Sequence, residues 1–254
     1  MELTLVSYNI HSGIGTDGRF DLHRVGEVLR EIQADVIALQ EVGDFRSVTP
    51  REDQPEHLAD MLGLHMAFGP NVVKSGRRYG NAILTRLPIL QSKNYNLSVP
   101  GREPRGALRC DLDLGSGKPL HVFCLHLGLS IGERRRQERL LLSADILQDA
   151  ARKDPVVVCG DFNYWGNKPV PALVRQAIHD AALELDAPAR TYPSRLPMLR
   201  LDRIFVDSGV RPLAIRPHRS SLASVASDHL PLVMRFEAPV VSVAEVPAPV
   251  QLIG

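Results

Sequence analysis

The sequence predicts an α/β fold whose sheets are mixed rather than purely parallel. Helix-like and strand-like segments interleave along most of the chain, the pattern of sheets flanked by helices. Several adjacent strand-like runs are joined by short punctuated turns, and such hairpins require antiparallel neighbours. The chain has 254 residues, 44% hydrophobic and 23% charged, which suits a soluble globular chain with a substantial core.

The first strand runs from Leu3 to Ile10, opening with Leu3 and Leu5 alternating against Thr4. Asp21 then caps a helix whose apolar residues Leu22, Val25, Leu29 and Ile32 recur at helical spacing. Asp35 to Glu41 is a short continuous apolar run of the kind buried at a sheet centre. A second helix is expected from Pro55 to Leu64. Strands follow at 81–86, 91–98, 107–114 and 120–126, with Pro88, Pro100 and the turn-forming stretch 115–119 as punctuation. The longest helix is expected from Glu133 to Arg152, with Leu140, Leu141, Ala144, Leu147 and Ala151 on one face. A buried strand from Pro155 to Cys159 stops at Gly160-Asp161. Further strands are expected at 199–206, 212–217 and 230–236, with a short helix near 171–180. No internal repeat is evident, and residues 238–254, rich in Ala, Pro and Val, read as an extended appendage to one domain at 1–237.

Charge and cysteine content exclude several classes. Thirty Lys and Arg against 29 Asp and Glu leave a formal charge of +1, so binding nucleic acid by bulk charge is excluded, though a local basic cleft is not. Arginines number 25 and lysines 5, which suits bidentate phosphate contacts and equally fits a compositional bias. Cys110, Cys124 and Cys159 lie in or at the end of apolar runs without a C-x-x-C pair, as expected of buried thiols in a reducing compartment. The opening residues lack the pattern of a signal peptide, and no run approaches the roughly 18 apolar residues of a membrane span. The expected location is the cytoplasm.

Two glycine-rich stretches imitate nucleotide sites. Gly13-Ile14-Gly15-Thr16-Asp17-Gly18 satisfies G-x-G-x-x-G, but its third glycine precedes the cap Asp21 and lies in the loop, where a dinucleotide fold places it at the helix start. Gly115-Ser116-Gly117-Lys118 fails as a phosphate loop because Leu112 and Pro119 occupy two required positions.

The informative polar residues sit where apolar strands end. Asn9, Glu41, His126, Asp161 with Asn163, Asp202, and Asp228-His229 each terminate or interrupt such a run. One of these alone reads as a turn or cap. Together, if the strand ends converge, they supply several carboxylates, two amides and two imidazoles. That set binds a hard divalent cation through oxygen and leaves nitrogen groups for a phosphate. A carboxylate-rich, thiolate-free site favours magnesium or manganese over zinc.

The run Tyr8-Asn9-Ile10-His11, Leu39-Gln40-Glu41, Gly80-Asn81-Ala82-Ile83-Leu84, Leu125-His126-Leu127, Gly160-Asp161-Phe162-Asn163, Leu201-Asp202-Arg203-Ile204 and Ser227-Asp228-His229-Leu230-Pro231-Leu232 resembles the endonuclease/exonuclease/phosphatase superfamily. The similarity spans residues 3 to 236 in the family's order. It implies a four-layered sandwich, two mixed sheets face to face between helices, with a rim site for metal-assisted hydrolysis of a phosphate ester. By the same resemblance Glu41 is the principal metal ligand, Asn9 supports the metal or a phosphate oxygen, and Asp228 contributes to the metal site. Asp161 orients and deprotonates the attacking water, and Asn163 donates to a non-bridging oxygen. The i, i+2 spacing of those two on an extended segment points both side chains the same way. His229 contacts the scissile phosphate, and Asp202 holds its ring and raises its pKa.

His126 matches a second phosphate-facing histidine, with Asn81 as its expected partner. Arg105 resembles a phosphate-contacting arginine and equally fits an exposed loop arginine. Lys74 to Arg109 holds eight Lys or Arg and one Glu, a positive rim near the site. The arginines of Glu133 to Arg139 are mixed with Glu and read as a solvated face. Trp165 either stacks on a substrate group or fills a loop. His11 and His218 lack supporting motifs, and His57, His65 and His179 read as surface or packing residues. The expected activity is a magnesium-dependent phosphodiesterase, with nucleic acid as the leading substrate. The alternatives are a lipid, sphingolipid or inositol-phosphate head group, or a non-catalytic binding module on the same fold.

Overall fold

The computed structural model describes residues 1–43, 53–115, 118–143, 146–147, 155–165 and 178–238. Its strands are β1 (Glu2–Asn9), β2 (Val36–Gly43), β3 (His65–Lys74), β4 (Arg77–Thr85), β5 (Ile89–Asn96), β6 (Gly106–Asp113), β7 (Pro119–His126), β8 (Val156–Asp161), β9 (His179–Asp180), β10 (Asp202–Val206), β11 (Arg211–Pro217) and β12 (Leu232–Glu237). The helices are α1 (Leu22–Ile32), α2 (Gln54–Leu62), α3 (Ile131–Leu141), α4 (Ala181–Glu184) and α5 (Ala223–Ala226).

The strands form two six-stranded sheets, ordered β11-β12-β1-β2-β4-β3 and β5-β6-β7-β8-β10-β9. Each contains one parallel pair, β1 with β2 and β7 with β8, and is otherwise antiparallel. The expected mixed architecture is therefore present in both halves. Alternation along each strand sorts its side chains between layers. Leu3, Leu5, Val36, Ala38, Ile83, Val122, Cys124, Val157, Cys159 and Ile204 fill the space between the sheets. Val6, Tyr8, Ile37 and Leu39 face the other way, onto Val25 and Leu29 of α1 and Leu58 of α2. Phe123, Leu125, Val158 and Phe205 cover the outer face of the second sheet together with Leu141 of α3. Four layers result, and full burial of each such side chain contributes roughly 1.5–3 kcal/mol. The three cysteines are buried free thiols, as expected.

Asp21 accepts a hydrogen bond from the Arg24 amide and caps α1, as its position foretells. Three expectations shift. The long helix ends at Leu141 instead of running to Arg152: Leu142 caps it, Ser143, Ile146 and Leu147 are turn or bend, and residues 144–145 and 148–154 lie outside the described residues. The short helix expected near 171–180 also falls largely outside them, and its last residues, His179–Asp180, are strand. β3 was not anticipated, because Gly69 and Pro70 interrupt its apolar run. It is the edge strand of the first sheet, where a missing proline N–H is tolerated, and its register shifts between Pro70 and Val72. The appendage beyond Ala238 lies outside the described residues.

Candidate active site

The same alternation that builds the inter-sheet core also builds the site. On β1 the inward positions are Leu3, Leu5, Ser7 and then Asn9, which is buried at the strand end. On β7 they are Leu120, Val122, Cys124 and then His126; on β8, Val157, Cys159 and then Asp161. β10 begins with Asp202 before Ile204 and Val206. Each strand end continues an apolar inward stripe with a polar residue, and the ends meet at one rim of the sandwich. Registers agree with this: His126 lies opposite Asp161, which lies opposite Asp202.

Glu41 is the exception. Inward positions on β2 are Val36, Ala38 and Gln40, so Glu41 would face α1 and α2 on a regular strand. The β2–β4 register shifts between Leu39 and Val42, and Glu41 has φ +56°. This bulge carries the carboxylate into the site, where Asn9 Nδ2 donates to its Oε1 at 2.9 Å. A non-glycine residue at positive φ costs energy that the surrounding ladder must offset. His11 (φ +47°) and Asn163 (φ +52°) line the same cavity in the same backbone region. Close chain approach also requires Gly160, since a Cβ there would sit 1.8 Å from the Leu125 carbonyl oxygen.

The cavity holds about 320 Å³ and is lined by Glu41, Arg105, His126, Asp161, Asn163, Tyr192, Asp228 and His229, with Leu129 and Trp165 among the residues at its mouth. Asp161 is its hub. Asn9 Nδ2 donates to Asp161 Oδ2 at 3.1 Å, and the Nε2 atoms of His126 and His229 stand 3.6 and 3.7 Å from that oxygen. Burial pushes the Asp161 pKa up to about 6; the charge of His229 opposes this and that of Asp202 reinforces it. His229 Nδ1 meets Asp202 Oδ2 at 2.8 Å. Burial alone would lower the His229 pKa, but the Asp202 carboxylate, aided by Asp161 and Asp228, pushes it up to about 10. His126 moves the other way: burial, then the positive charges of Arg105 and His229, hold it well below the usual histidine range.

The expected residues converge, with three differences in detail. Asn81 does not meet His126; its amide donates to the Gly106 and Cys124 carbonyl oxygens and ties β4 to the second sheet. The neighbour of His126 is Asn163, whose Nδ2 lies 3.2 Å from Nε2. The segment carrying Asn163 is a turn rather than an extended strand, closed by the Asn163 amide donating to Asp161 Oδ1 at 2.9 Å. Asn9 Oδ1 accepts from the His11 amide at 3.0 Å, so Asn9 couples Glu41 to Asp161 through its nitrogen instead of presenting its oxygen. Arg105 is buried and paired with Glu103.

Sequence reading passed over Thr191 and Tyr192. The Thr191 hydroxyl donates to Asp202 Oδ2, the oxygen that also holds His229. The Tyr192 ring packs on the His229 ring with centroids 4.9 Å apart. Both belong to an irregular segment, where threonine and tyrosine give no pattern to read.

Ligand atoms of Asp161, Asp202 and His229 lie within 4.8 Å of one another. Asp202 and His229 are committed to each other, however, and sit deep. The carboxylates of Glu41 and Asp228 are more open, with side-chain exposures of 22% and 37%. Hard oxygen donors on the open side of the cavity fit a divalent cation such as magnesium or manganese better than the buried dyad does.

Residues 6–229 match the Endonuclease/Exonuclease/phosphatase family. Over 243 residues the chain is 37% identical to the uncharacterized protein YbhP of Escherichia coli strain K12, covering 90% of this chain and 93% of that one. Its fold is similar to that of mannosyl-6-phosphatase Bt3783 of Bacteroides thetaiotaomicron VPI-5482, with a TM-score of 0.74 and 19% identity over 92% of this chain and 99% of that chain. It is also similar to a humanized D. rerio TDP2, with a TM-score of 0.69 and 19% identity over 93% of this chain and 99% of that one. A family match running from β1 to His229, joined by a relative similar along nearly its whole length, places the chain in the endonuclease/exonuclease/phosphatase family, whose members hydrolyse phosphoesters.

Proposed function

We propose that the protein is a divalent-metal-dependent phosphodiesterase. The observation that carries this reading is the hub at Asp161, where one carboxylate oxygen faces Asn9 and His126 from two strand ends and His229 from the loop before β12, at 3.1–3.7 Å. Glu41 and Asp228 would hold the cation, which when bound supplies positive charge against the phosphate oxygens. Asp161 aligns a water and takes its proton as the water oxygen attacks phosphorus, a reading supported by its position at the centre of the cavity. His229, its Nδ1 held by Asp202, presents Nε2 to the phosphate, where charge grows in the transition state. Asn163 fixes the His126 ring edge beside the same phosphate. The phosphorus–oxygen bond to the leaving group breaks, and that oxygen takes a proton from water on the open side of the cavity to depart as the alcohol.

The size of the substrate follows from charge. A nucleic-acid strand gripped at several phosphates needs several cations. Among the described residues the cavity offers one guanidinium, Arg105, already paired with Glu103. We therefore place the scissile ester on a compact phosphorylated group and set nucleic acid second. The test is hydrolysis of bis(p-nitrophenyl) phosphate in magnesium, by wild type and Asp161→Asn, beside nicking of supercoiled plasmid at low salt. Turnover of the small ester by wild type alone, abolished by EDTA, is the expected result. Plasmid nicking that depends on Asp161 and falls steeply with salt would restore nucleic acid as the substrate, and no turnover of either would leave a binding module.

A further inference from the structure

The sequence of α3 mixes glutamate with arginine, but the fold separates them. Glu133 and Glu138 lie on its buried side with Arg134 and Gln137. The exposed side consists of Ile131, Gly132, Arg135, Arg136, Arg139 and Leu140, three arginines among apolar residues with no acid. The buried side fixes what surrounds the cavity mouth. Arg134 donates to the carbonyl oxygens of Gly128 and Leu129, and its guanidinium stacks 4.9 Å from the Tyr164 ring centroid, while the Tyr164 hydroxyl bonds Glu138. These contacts hold Leu129 and Trp165 outward at the mouth, 72% and 73% exposed. Leu196 and Met198 are also exposed, on the segment that follows Tyr192 of the cavity wall. Of the ten large exposed apolar side chains among the described residues, Leu129 and Trp165 line the cavity, Ile131 and Leu140 lie on α3, which begins two residues after Leu129, and Leu196 and Met198 follow Tyr192 of the cavity wall.

We propose that this arginine-and-apolar rim docks on an anionic lipid bilayer, so that the cavity meets a phosphoester carried at the membrane surface. The proposal rests on the phosphoesterase reading and names its substrate class. Scattered surface leucines need no explanation, but a cluster around a polar cavity does. Apolar side chains with arginines and no acid are the composition of a surface that lies on a membrane interface, and a tryptophan suits the head-group level. The arginines complement anionic lipid, each strengthening binding about fivefold near the surface. A nucleic-acid groove would use the arginines but leave Ile131, Leu140 and Leu129 in water.

Trp165 is the only tryptophan in the chain, so its fluorescence reports on this rim without labelling. The experiment titrates the full chain with phosphatidylcholine vesicles, with vesicles containing phosphatidylglycerol, and with a single-stranded oligonucleotide. A blue shift of Trp165 emission and co-sedimentation with the anionic vesicles are expected. Arg135→Gln with Arg136→Gln should lower the partition coefficient about 25-fold, and Ile131→Ser with Leu140→Ser should lower it further. Both double variants should retain wild-type turnover of bis(p-nitrophenyl) phosphate. Absence of any shift with anionic vesicles, equal binding to neutral vesicles, or a response to the oligonucleotide alone would overturn the docking proposal. Loss of small-ester turnover in wild type would overturn the phosphoesterase reading instead, whatever the vesicles show.

Discussion

Two buried histidines are held by aspartates in nearly the same way, and they lie in different surroundings. His229 Nδ1 stands 2.8 Å from Asp202, and His121 Nδ1 stands 2.6 Å from Asp111. The second pair sits on neighbouring strands, with Asp111 of β6 opposite His121 of β7. There Arg109 closes on the same carboxylate at 2.7 and 3.0 Å and approaches the His121 ring at 3.1 Å. Burial would raise the Asp111 pKa, but His121 and Arg109 hold it below the usual carboxylate range. Its charge is answered within the fold. Among the described residues no guanidinium answers Asp202, whose second partner is the neutral Thr191 hydroxyl, so its field acts on His229. His229 in turn presents Nε2 to Asp161 and the cavity. A histidine–aspartate pair thus lines a cavity at one place and braces two strands at the other, according to what else the carboxylate touches.

Mutations can break this contrast. Asp161→Asn should cost the most, lowering kcat by about 10³-fold or more with the fold intact, measured with a chromogenic diester. Turnover within a few-fold of wild type would remove Asp161 from the chemistry. His229→Ala should lower kcat by about 10² or more. Asp202→Asn should follow at about 10- to 100-fold, since it acts through the ring it orients. An Asp202 variant with full activity would make the two pairs equivalent and end the comparison. Glu41→Gln should raise the magnesium concentration giving half-maximal rate, read by titration from EDTA-stripped protein, and an unshifted curve would mean that Glu41 is not a ligand. The smallest catalytic effect is expected for Asp111→Asn, whose turnover should stay within about two-fold while urea unfolding registers a loss of about 2 kcal/mol. A large kcat loss there, without unfolding, would show that the framework pair reaches the site.

Much of the site was legible because it continues a pattern. Asn9, His126 and Asp161 occupy the next inward positions of strands whose earlier inward residues are plainly core, and Asp202 opens a strand whose later inward residues, Ile204 and Val206, are core. Other features depended on events that one residue at a time does not reveal. The i, i+2 spacing predicts Asn163 on an extended segment, and it stands in a left-handed turn. Asn81, expected beside His126, braces two sheets. Thr191 and Tyr192 reach His229 and Asp202 only because a loop folds back between β9 and β10. β3 was hidden by Pro70, which an edge position excuses. The arginine face of α3 was hidden because glutamates one or two positions away in sequence point to the opposite side of the helix.

The bulge in β2 makes the position of Glu41 a matter of counting. Through Gln40 the strand keeps strict alternation, and the extra residue then exchanges inside for outside. Conservative replacements along Val36 to Leu39 would leave that count untouched and alter only packing. Removing Gln40 would restore a regular ladder and seat Glu41 in the inward position that Gln40 now holds, with the carboxylate on the same side but roughly 3.3 Å further back along the strand. In β2 the reach of Glu41 is therefore set by the length of the strand as much as by its letters, and such a deletion draws the carboxylate back from the rim while leaving the sheet paired.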